Sequence, residues 1–336
     1  MISKETIGRI MDASRIEEVV GDFVNLKRRG VNLIGKCPFH NEKTPSFTVS
    51  VPKGIYKCFG CGKSGNSVGF VMEHEQLSYR EALIYLANKY HIEVEEKQRT
   101  NEEIQEENRR ESLYIINTFA QNYFYDYLHN DEEGKSIGLS YFTERGLRSD
   151  TIEKFKLGFC PGDGETFTRI ASNTGYKVEL LQQLGLTSQY GKDFFRGRVM
   201  FPIHSITGKV LGFGGRTLSA DKKIPKYINS PETDIYLKSK IVFGIFQARK
   251  AITQLEECYL VEGYMDVISL SQSGIENVVA SSGTSLTQDQ VRLIKRYTPN
   301  LTILYDGDSA GVKAALRGLE IALEEGMNVK VVLLPA

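Results

Sequence analysis

Cys37-Pro38-Phe39-His40 and Cys58-Phe59-Gly60-Cys61 are two pairs of potential metal ligands, each pair two residues apart, with seventeen residues between the pairs. A two-residue spacer lets one tight turn aim both side chains at the same point. Two such turns complete a tetrahedron of thiolate and imidazole donors with bonds of about 2.0–2.3 Å, the arrangement zinc prefers. The spacing therefore predicts one zinc ion held by Cys37, His40, Cys58 and Cys61. Four protein ligands leave no position for water, so the ion is expected to be structural, and such binding contributes roughly 10–16 kcal/mol to the folding of small domains. The competing reading puts His40 on the surface and makes the thiols buried or redox-active, which leaves the two-by-two spacing unexplained. Cys160 and Cys258 lack such neighbours and read as core residues.

A second set of residues is acidic. Glu262 follows an apolar run in Val261-Glu262-Gly263-Tyr264-Met265-Asp266, and Asp306-Gly307-Asp308 follows another. Ligand sites in parallel α/β sheets gather at the carboxyl ends of strands. If the two strands are neighbours, Glu262, Asp306 and Asp308 meet on one edge and repel one another unless a hard divalent cation sits among them. Magnesium is the expected occupant, with manganese as a substitute. Asp266, one helical turn after Glu262, is a further ligand or a group just outside the ligands. Asp308 or Ser309 can also cap a helix from Ala310 to Glu325, a role compatible with metal binding.

The elements that must position these groups are legible from periodicity. A helical pattern (Ile7, Ile10, Met11, Ile16, Val19, Val20) opens the chain, and short β-like runs punctuated by glycine and proline hold the cysteines. A second helical pattern runs from Ser67 to Tyr90, with Phe70, Val71, Leu83, Leu86 and Ala87 at helical spacing. Glu93 to Glu111 is polar and reads as a linker or the start of a solvated helix. From Leu113 to Leu128 the apolar residues, including Tyr114, Phe119, Tyr123, Phe124 and Tyr127, return at helical spacing and are expected in a core. About Tyr141 to Phe246 mixes short helices with glycine-rich β-like stretches. After Glu257 the runs Cys258 to Val261, Val278 to Ala280, Leu301 to Tyr305 and Val329 to Leu334 alternate with helices, which implies a parallel α/β sheet. Thr287 followed by Gln290 reads as a capping box for the middle helix. The expected divisions are residues 1–95, a linker at 96–112, 113–255 and 256–336.

At 336 residues the chain has room for two or three domains and large cores. No stretch approaches a membrane span, and the opening Met1-Ile2-Ser3-Lys4-Glu5 has no signal-peptide pattern, so the cytoplasm is the expected compartment. Five cysteines, three of them in one window, suit a reducing environment in which thiolates serve metals. The net charge is zero, but it is unevenly spread: Lys27 to Lys63 carries eight basic residues against Glu42 alone. Lys192 to Lys250 carries twelve basic against four acidic residues, and Ala251 to Ala336 eleven acidic against six basic. Basic regions grip phosphates and an acidic one gathers cations, so nucleic acid is the expected partner. Phe39, Phe47, Tyr56 and Phe59 lie among the first lysines. Most are expected to cover the metal, leaving one ring and the Lys and Arg side chains to meet a single strand, where a stacked base contributes about 1–3 kcal/mol.

Together these features resemble the bacterial replicative DNA primases, over nearly the whole chain. The cysteine and histidine set resembles that family's zinc ribbon. Glu262 with Asp306 and Asp308 resembles the Toprim fold shared by primases, topoisomerases and some nucleases. Arg198-Val199-Met200-Phe201-Pro202-Ile203, Gly212-Phe213-Gly214-Gly215-Arg216 and Pro225 to Thr233 are similar to basic motifs of the primase core. The resemblance implies a multidomain α+β and α/β protein: a zinc ribbon with helices, a mixed α/β basic subdomain of an RNA polymerase core, and a Toprim parallel sheet. It implies that Arg145, Arg198, Arg216, Lys226, Tyr227, Asn229 and Lys238 contact template or nucleotide, with Gly212, Gly214 and Gly215 letting a backbone approach phosphates.

The implied activity is DNA-directed RNA primer synthesis in replication, a nucleotidyl transfer assisted by two or more magnesium ions set about 3.5–4 Å apart. The implied partners are single-stranded DNA, ribonucleoside triphosphates and, through a C-terminal domain expected beyond Pro335-Ala336, the replicative helicase of the primosome. The protein is expected to be a monomer and independent of membranes. The alternatives are a Toprim topoisomerase or nuclease, and a non-catalytic, zinc-bearing single-strand binder resembling recombination mediators.

Overall fold

Ser3 opens the first helix by accepting the Thr6 N–H at 3.1 Å, and the apolar residues that follow fall on one face. The computed structural model of the chain describes residues 2–75, 77–94, 101–281, 283 and 285–334, with the side chain of Glu103 set aside. Residues 96–100 of the expected linker, Gln76 and the Pro335-Ala336 end lie outside the described residues. The described chain forms two compact units, Met1–Ile104 and Gln105–Ala336.

In the first unit the opening helical pattern is split into α1 (Lys4–Ala13) and α2 (Ile16–Gly21). An antiparallel sheet follows in simple order: β1 (Lys27–Arg29), β2 (Asn32–Gly35), β3 (Phe47–Ser50), β4 (Ile55–Cys58) and β5 (Ser64–Gly65). Side chains alternate across a sheet, so Leu33, Val49 and Tyr56, which are register partners, line one face. The other face carries the row Lys27, Ile34, Thr48 and Lys57. Two helices close the unit, α3 (Ser67–Glu75) and α4 (Tyr79–Lys89). The single helical pattern read from Ser67 to Tyr90 is thus two helices. Ser78 starts the second with a capping box, its N–H donating to Glu81 Oε2 at 2.8 Å and its hydroxyl accepting the Glu81 N–H at 3.4 Å.

The second unit takes in most of α5 (Asn101–Asn130), which begins inside the polar stretch expected to be a linker. Its Leu113, Ile116, Ala120 and Phe124 are buried in one core cluster and Leu128 in another. A π-helical turn, Gly134–Leu139, leads into α6 (Ser140–Glu144) and α7 (Ser149–Lys154). Strand β6 (Gly158–Cys160), helices α8 (Thr166–Asn173) and α9 (Val178–Gln183), and strands β7 (Arg198–His204), β8 (Val210–Thr217) and β9 (Tyr227–Asn229) follow. The four strands form an antiparallel sheet in order β6-β7-β8-β9.

After α10 (Ile245–Leu255) the chain alternates: β10 (Cys258–Val261), α11 (Tyr264–Gln272), β11 (Val278–Ala280), α12 (Gln288–Lys295), β12 (Asn300–Asp306), α13 (Ser309–Glu324) and β13 (Asn328–Leu334). These strands pair in parallel in the order β11-β10-β12-β13. The chain steps to one side of β10 and then to the other, so the switch point lies between β10 and β12. That is where an open parallel sheet presents its crevice. Among the described residues no helix is long and apolar enough to cross a membrane.

His204, at the end of β7, is half-buried with Nε2 at 2.8 Å from Gln121 Oε1, and the burial of its ring pushes its pKa down to about 4. A histidine whose folded pKa lies below its unfolded value stabilises the fold above about pH 6.5 and loses that contribution as pH falls toward the folded pKa. The difference corresponds to about 2 kcal/mol lost by pH 5. Urea titrations should show the wild-type second unit losing that much more stability between pH 7 and pH 5 than His204→Asn. Parallel losses would contradict it.

Candidate functional site

The cysteine and histidine ligands converge. The donor atoms of Cys37, His40, Cys58 and Cys61 all lie within 4.8 Å of one another. Cys37 and Cys61 sulfurs are 3.8 Å apart, and Cys58 Sγ is 3.9 Å from His40 Nδ1. A tetrahedron with Zn–S bonds of 2.3 Å has edges of about 3.8 Å, so these two edges match a zinc site and the set as a whole is close to one. The turns are held by N–H donors to sulfur, Phe39 to Cys37 at 3.4 Å and Gly60 to Cys58 at 3.3 Å. Burial pushes the Cys58 thiol up, but the Ser46 hydroxyl and the N–H groups of Cys61 and Gly60 outweigh it and bring the pKa down, favouring the thiolate that binds metal.

Glu42 carries a role the sequence did not disclose. It accepts the N–H of Cys37 at 2.7 Å, the N–H of Ser46 at 3.0 Å and the Ser46 hydroxyl, while its Oε2 lies 3.4 Å from His40 Nε2. With Nδ1 of His40 facing the thiols, the carboxylate fixes the ring from behind, as carboxylates commonly do for histidines on zinc. Glu42→Ala should weaken zinc retention about 10–100-fold in a chelator competition, and unchanged retention would rule the role out.

The aromatic rings around this site divide as expected. Phe47 and Tyr56 are fully buried and stack at 5.1 Å, and both pack on Phe70 of α3. Phe39 is partly buried against them, with Lys63 Nζ 4.8 Å above its ring. Phe59 alone of the four is solvent-facing, 71% exposed, with Lys57 Nζ at 5.6 Å.

The carboxylates share an edge of the parallel sheet. Glu262 follows β10 and Asp306 ends β12, its neighbour, and the Asp306 N–H donates to Glu262 Oε1 at 3.3 Å. Asp308 caps α13, accepting the Ala310 and Gly311 N–H groups through Oδ1 at 2.9 and 2.7 Å. The capping role read from the sequence therefore coexists with a carboxylate on this edge. Gly311 lets α13 start that close, because a Cβ there would lie 2.2 Å from the Asp306 carbonyl oxygen. Asp266 accepts the Gly263 N–H at 2.9 Å.

Burial pushes the Glu262 carboxyl above its usual range, against the Asp306 N–H, and the charges of Asp306, Asp266 and Asp308 push it further. Burial raises Asp266 as well, against the Gly263 N–H and with the Asp306 charge adding to it. Among the described residues none of these four carboxylates makes an ion pair, and mutual repulsion of this kind suits an oxygen-ligand cation site. The donor chemistry fits a hard divalent ion, although the carboxylates do not close into a set as tight as the cysteine and histidine one.

The basic residues take two kinds of position. Arg198 is buried, and its Nη1 donates to the carbonyls of Gly215, Pro225 and Lys226 at 3.2, 3.0 and 3.4 Å, tying β7 to the chain before β9. Burial lowers its pKa. Arg216 lies between two rings, its guanidinium 4.9 Å from Tyr141 and 5.6 Å from Tyr227, with Nη1 at 3.3 Å from the Tyr227 hydroxyl. Arg145 is exposed and 5.7 Å from the ring of Tyr141. Lys226 is exposed and Lys238 half-buried. Among the described residues none of Arg145, Arg216, Lys226 and Lys238 makes an ion pair.

The expectation that Gly212, Gly214 and Gly215 let a backbone approach phosphates is corrected. All three are buried, and a Cβ on them would meet Ser230 at 3.0 Å, the Tyr264 ring at 2.5 Å and Phe195 at 2.6 Å respectively. They make room for this protein's own side chains.

The Tyr264 that Gly214 accommodates is the second residue missed in the sequence. It starts α11 two positions after Glu262, stacks on Phe201 of β7 at 5.0 Å, and donates its hydroxyl to Asn229 Oδ1 of β9 at 2.8 Å. One buried ring thus fixes the strand bearing Tyr227 and Asn229 to the carboxylate edge, with stacking of this kind contributing about 0.5–1.5 kcal/mol beyond burial.

The chain matches three family models. Residues 2–102 match the CHC2 zinc finger family, residues 123–249 the N-terminal domain of the DNA primase catalytic core, and residues 259–336 a Toprim-like family. The chain is 42% identical over its whole length to a DNA primase of Clostridium acetobutylicum, of which it covers 55%, and 41% identical over 99% of its length to one of Halalkalibacterium halodurans, covering 56%. It thus spans about half the length of the curated relatives it matches. Among solved structures, the zinc-binding and RNA polymerase domains of Aquifex aeolicus primase align with 98% of this chain and 79% of that one, at 35% identity and a TM-score of 0.62. A DnaG primase catalytic domain bound to ssDNA aligns with 68% of this chain and 72% of that one, at 37% identity and a TM-score of 0.63.

Proposed function

The chain belongs to the bacterial DnaG-type DNA primase family, and on that premise we propose that it synthesises short RNA primers on single-stranded DNA by metal-dependent nucleotidyl transfer. The observation that carries the reading is the Tyr264 link. It holds a strand that lies beside Arg216 and follows Lys226, and the carboxylate edge, in one piece of structure, one for phosphates and one for cations.

In this reading Arg145, Arg216, Lys226, Tyr227 and Lys238 hold template and ribonucleoside triphosphate, and Asn229, positioned by Tyr264, faces the same ligands. Arg198 serves by tying strands together from within. Positioning supplies much of the acceleration in phosphoryl transfer. Glu262, Asp306 and Asp308, with Asp266 beside them, would hold magnesium, and such ions lower the pKa of the attacking 3′-hydroxyl and offset charge growing on the phosphoryl oxygens.

The zinc unit would hold template, with Phe59, Lys57 and Lys27 on or beside its solvent-facing sheet surface. The ion itself is structural. The protein would work in the cytoplasm as a monomer, with the replicative helicase as its partner at the fork.

Incubation of the protein with single-stranded DNA, labelled ribonucleotides and magnesium should give short RNAs. DNA cleavage without nucleotides would instead support a strand-breaking Toprim enzyme. DNA binding indifferent to magnesium and to changes at Asp306 and Asp308, with no RNA made, would support a mere binder.

A further inference from the structure

The guanidinium of Arg216 is held by rings and not by carboxylates. It lies 4.9 Å from the Tyr141 ring and 5.6 Å from the Tyr227 ring, and its Nη1 donates to the Tyr227 hydroxyl at 3.3 Å. Arg145 rests against the same Tyr141 ring at 5.7 Å. An aromatic face attracts a cation without neutralising it, so the full charge of Arg216 stays available to a phosphate. The rings also restrict a long side chain that is otherwise free to sample many rotamers. Tyr141 and Arg216 line an open cleft of about 740 Å³, with Ser140, Thr217 and Lys226 among its other walls. The clamped cation therefore borders space that a ligand can enter.

The local fold brings Tyr141 to this spot. Phe142 is fully buried, 6.1 Å from Phe201 of β7, and anchors α6. Tyr141 and Arg145, four residues apart, share another face of the same helix. The rotation of that face is set by the π-helical turn Gly134–Leu139 just before it, since such a turn takes an extra residue and swings every later side chain about the axis. The turn needs its glycines: a Cβ on Gly134 would lie 1.9 Å from the Tyr127 carbonyl oxygen, and one on Gly138 would lie 2.7 Å from the Leu128 side chain. Turns of this kind recur at functional sites, and this one also lines the cleft through Ser136 and Ile137.

We propose that Tyr141 is a positioning residue, which holds the Arg216 guanidinium in place for a phosphate of the template or of the incoming nucleotide; the assignment rests on the primer-synthesis reading. Tyr141 acts through the arginine and not on the ligand. Removing its ring opens one side of the clamp and leaves the charge, with Tyr227 as the remaining wall.

The test is a double-mutant cycle on Tyr141 and Arg216, read as binding of an oligodeoxythymidylate and, separately, of adenosine triphosphate with magnesium. Arg216→Ala should weaken one or both ligands roughly tenfold or more, which says whose phosphate the arginine holds. Tyr141→Leu should weaken the same ligand roughly three- to thirtyfold, and Tyr141→Phe, which keeps the ring, should restore it. In the Arg216→Ala background Tyr141→Leu should have no further effect. Because Tyr141 is half-buried, the melting of each variant is followed, and Tyr141→Met repeats the cycle with a second ring-free side chain. Equal losses from Tyr141→Leu with and without Arg216 overturn the assignment, as does wild-type binding in Tyr141→Leu. Coupled losses in a protein that makes no RNA would keep the positioning role and defeat the polymerase reading. Wild-type binding of both ligands by Arg216→Ala would defeat the phosphate role of Arg216, and the proposal with it, even if RNA is made.

Discussion

Cys58→Ser is expected to strip the zinc and unfold residues Met1–Ile104 while Gln105–Ala336 stays folded. Cys58 is fully buried at the end of β4 and gathers donors from Ser46, Gly60 and Cys61. Zinc binding at such a site is worth roughly 10–16 kcal/mol, comparable to or above the whole stability of a typical domain, about 5–15 kcal/mol. The helices do not offer a separate refuge, because Phe70 of α3 packs on Phe47 and Tyr56 of the sheet, and Ile10, Val19, Leu83 and Leu86 belong to the same cluster. Hydrogen exchange on the whole protein should show fast exchange throughout the first unit and native protection in the second. Retained protection in a zinc-free first unit would contradict the structural role of the ion.

Glu262→Gln should cut primer synthesis by about 10²–10³-fold while leaving zinc, fold and DNA binding in place. The amide keeps the size of the side chain and can still accept the Asp306 N–H that now reaches Glu262 Oε1, so what is removed is charge. Losing one group that stabilises transition-state charge costs on the order of 10²–10³-fold in rate, and a carboxylate that holds a cation should be at the upper end. The reading calls for RNA synthesis to fall by that factor, with no shift in melting of either unit. Full activity in Glu262→Gln would remove the carboxylate edge from the mechanism.

The sequence disclosed the parallel sheet well because buried parallel strands are short, continuous apolar runs. Two of those runs, Cys258 to Val261 and Val278 to Ala280, have the same bounds as β10 and β11. The Thr287 capping box also forms, with Thr287 Oγ1 accepting the Gln290 N–H at 3.2 Å. Adjacency of β10 and β12 was the condition for bringing Glu262 and Asp306 together, and the strand order β11-β10-β12-β13 meets it.

What stayed hidden depends on contacts between distant residues. Glu42, two positions after His40, looks like one acid among many lysines until the fold turns it onto the imidazole. Arg198 reads as a surface cation in a basic motif, but it starts β7, where its side chain turns inward to three carbonyls. The glycines before Arg216 look like a phosphate loop because the rings they accommodate, Tyr264 and Phe195, lie elsewhere in sequence. The break at Ser78 was legible from Ser78 and Glu81 alone, a capping signal inside a helical pattern that periodicity passes over.

The most direct test of the central claim, that nucleotidyl transfer occurs on cations held at the Glu262 and Asp306 edge, is a sulfur substitution at the reacting phosphorus. Each diastereomer of a ribonucleotide with sulfur replacing one non-bridging α-phosphoryl oxygen is supplied to the protein on single-stranded DNA, in magnesium and then with manganese added. Magnesium is a poor partner for sulfur and manganese a better one. The account predicts that one diastereomer is extended slowly in magnesium and recovers in manganese, and that Glu262→Gln does not recover. Equal extension of both diastereomers in magnesium would contradict it.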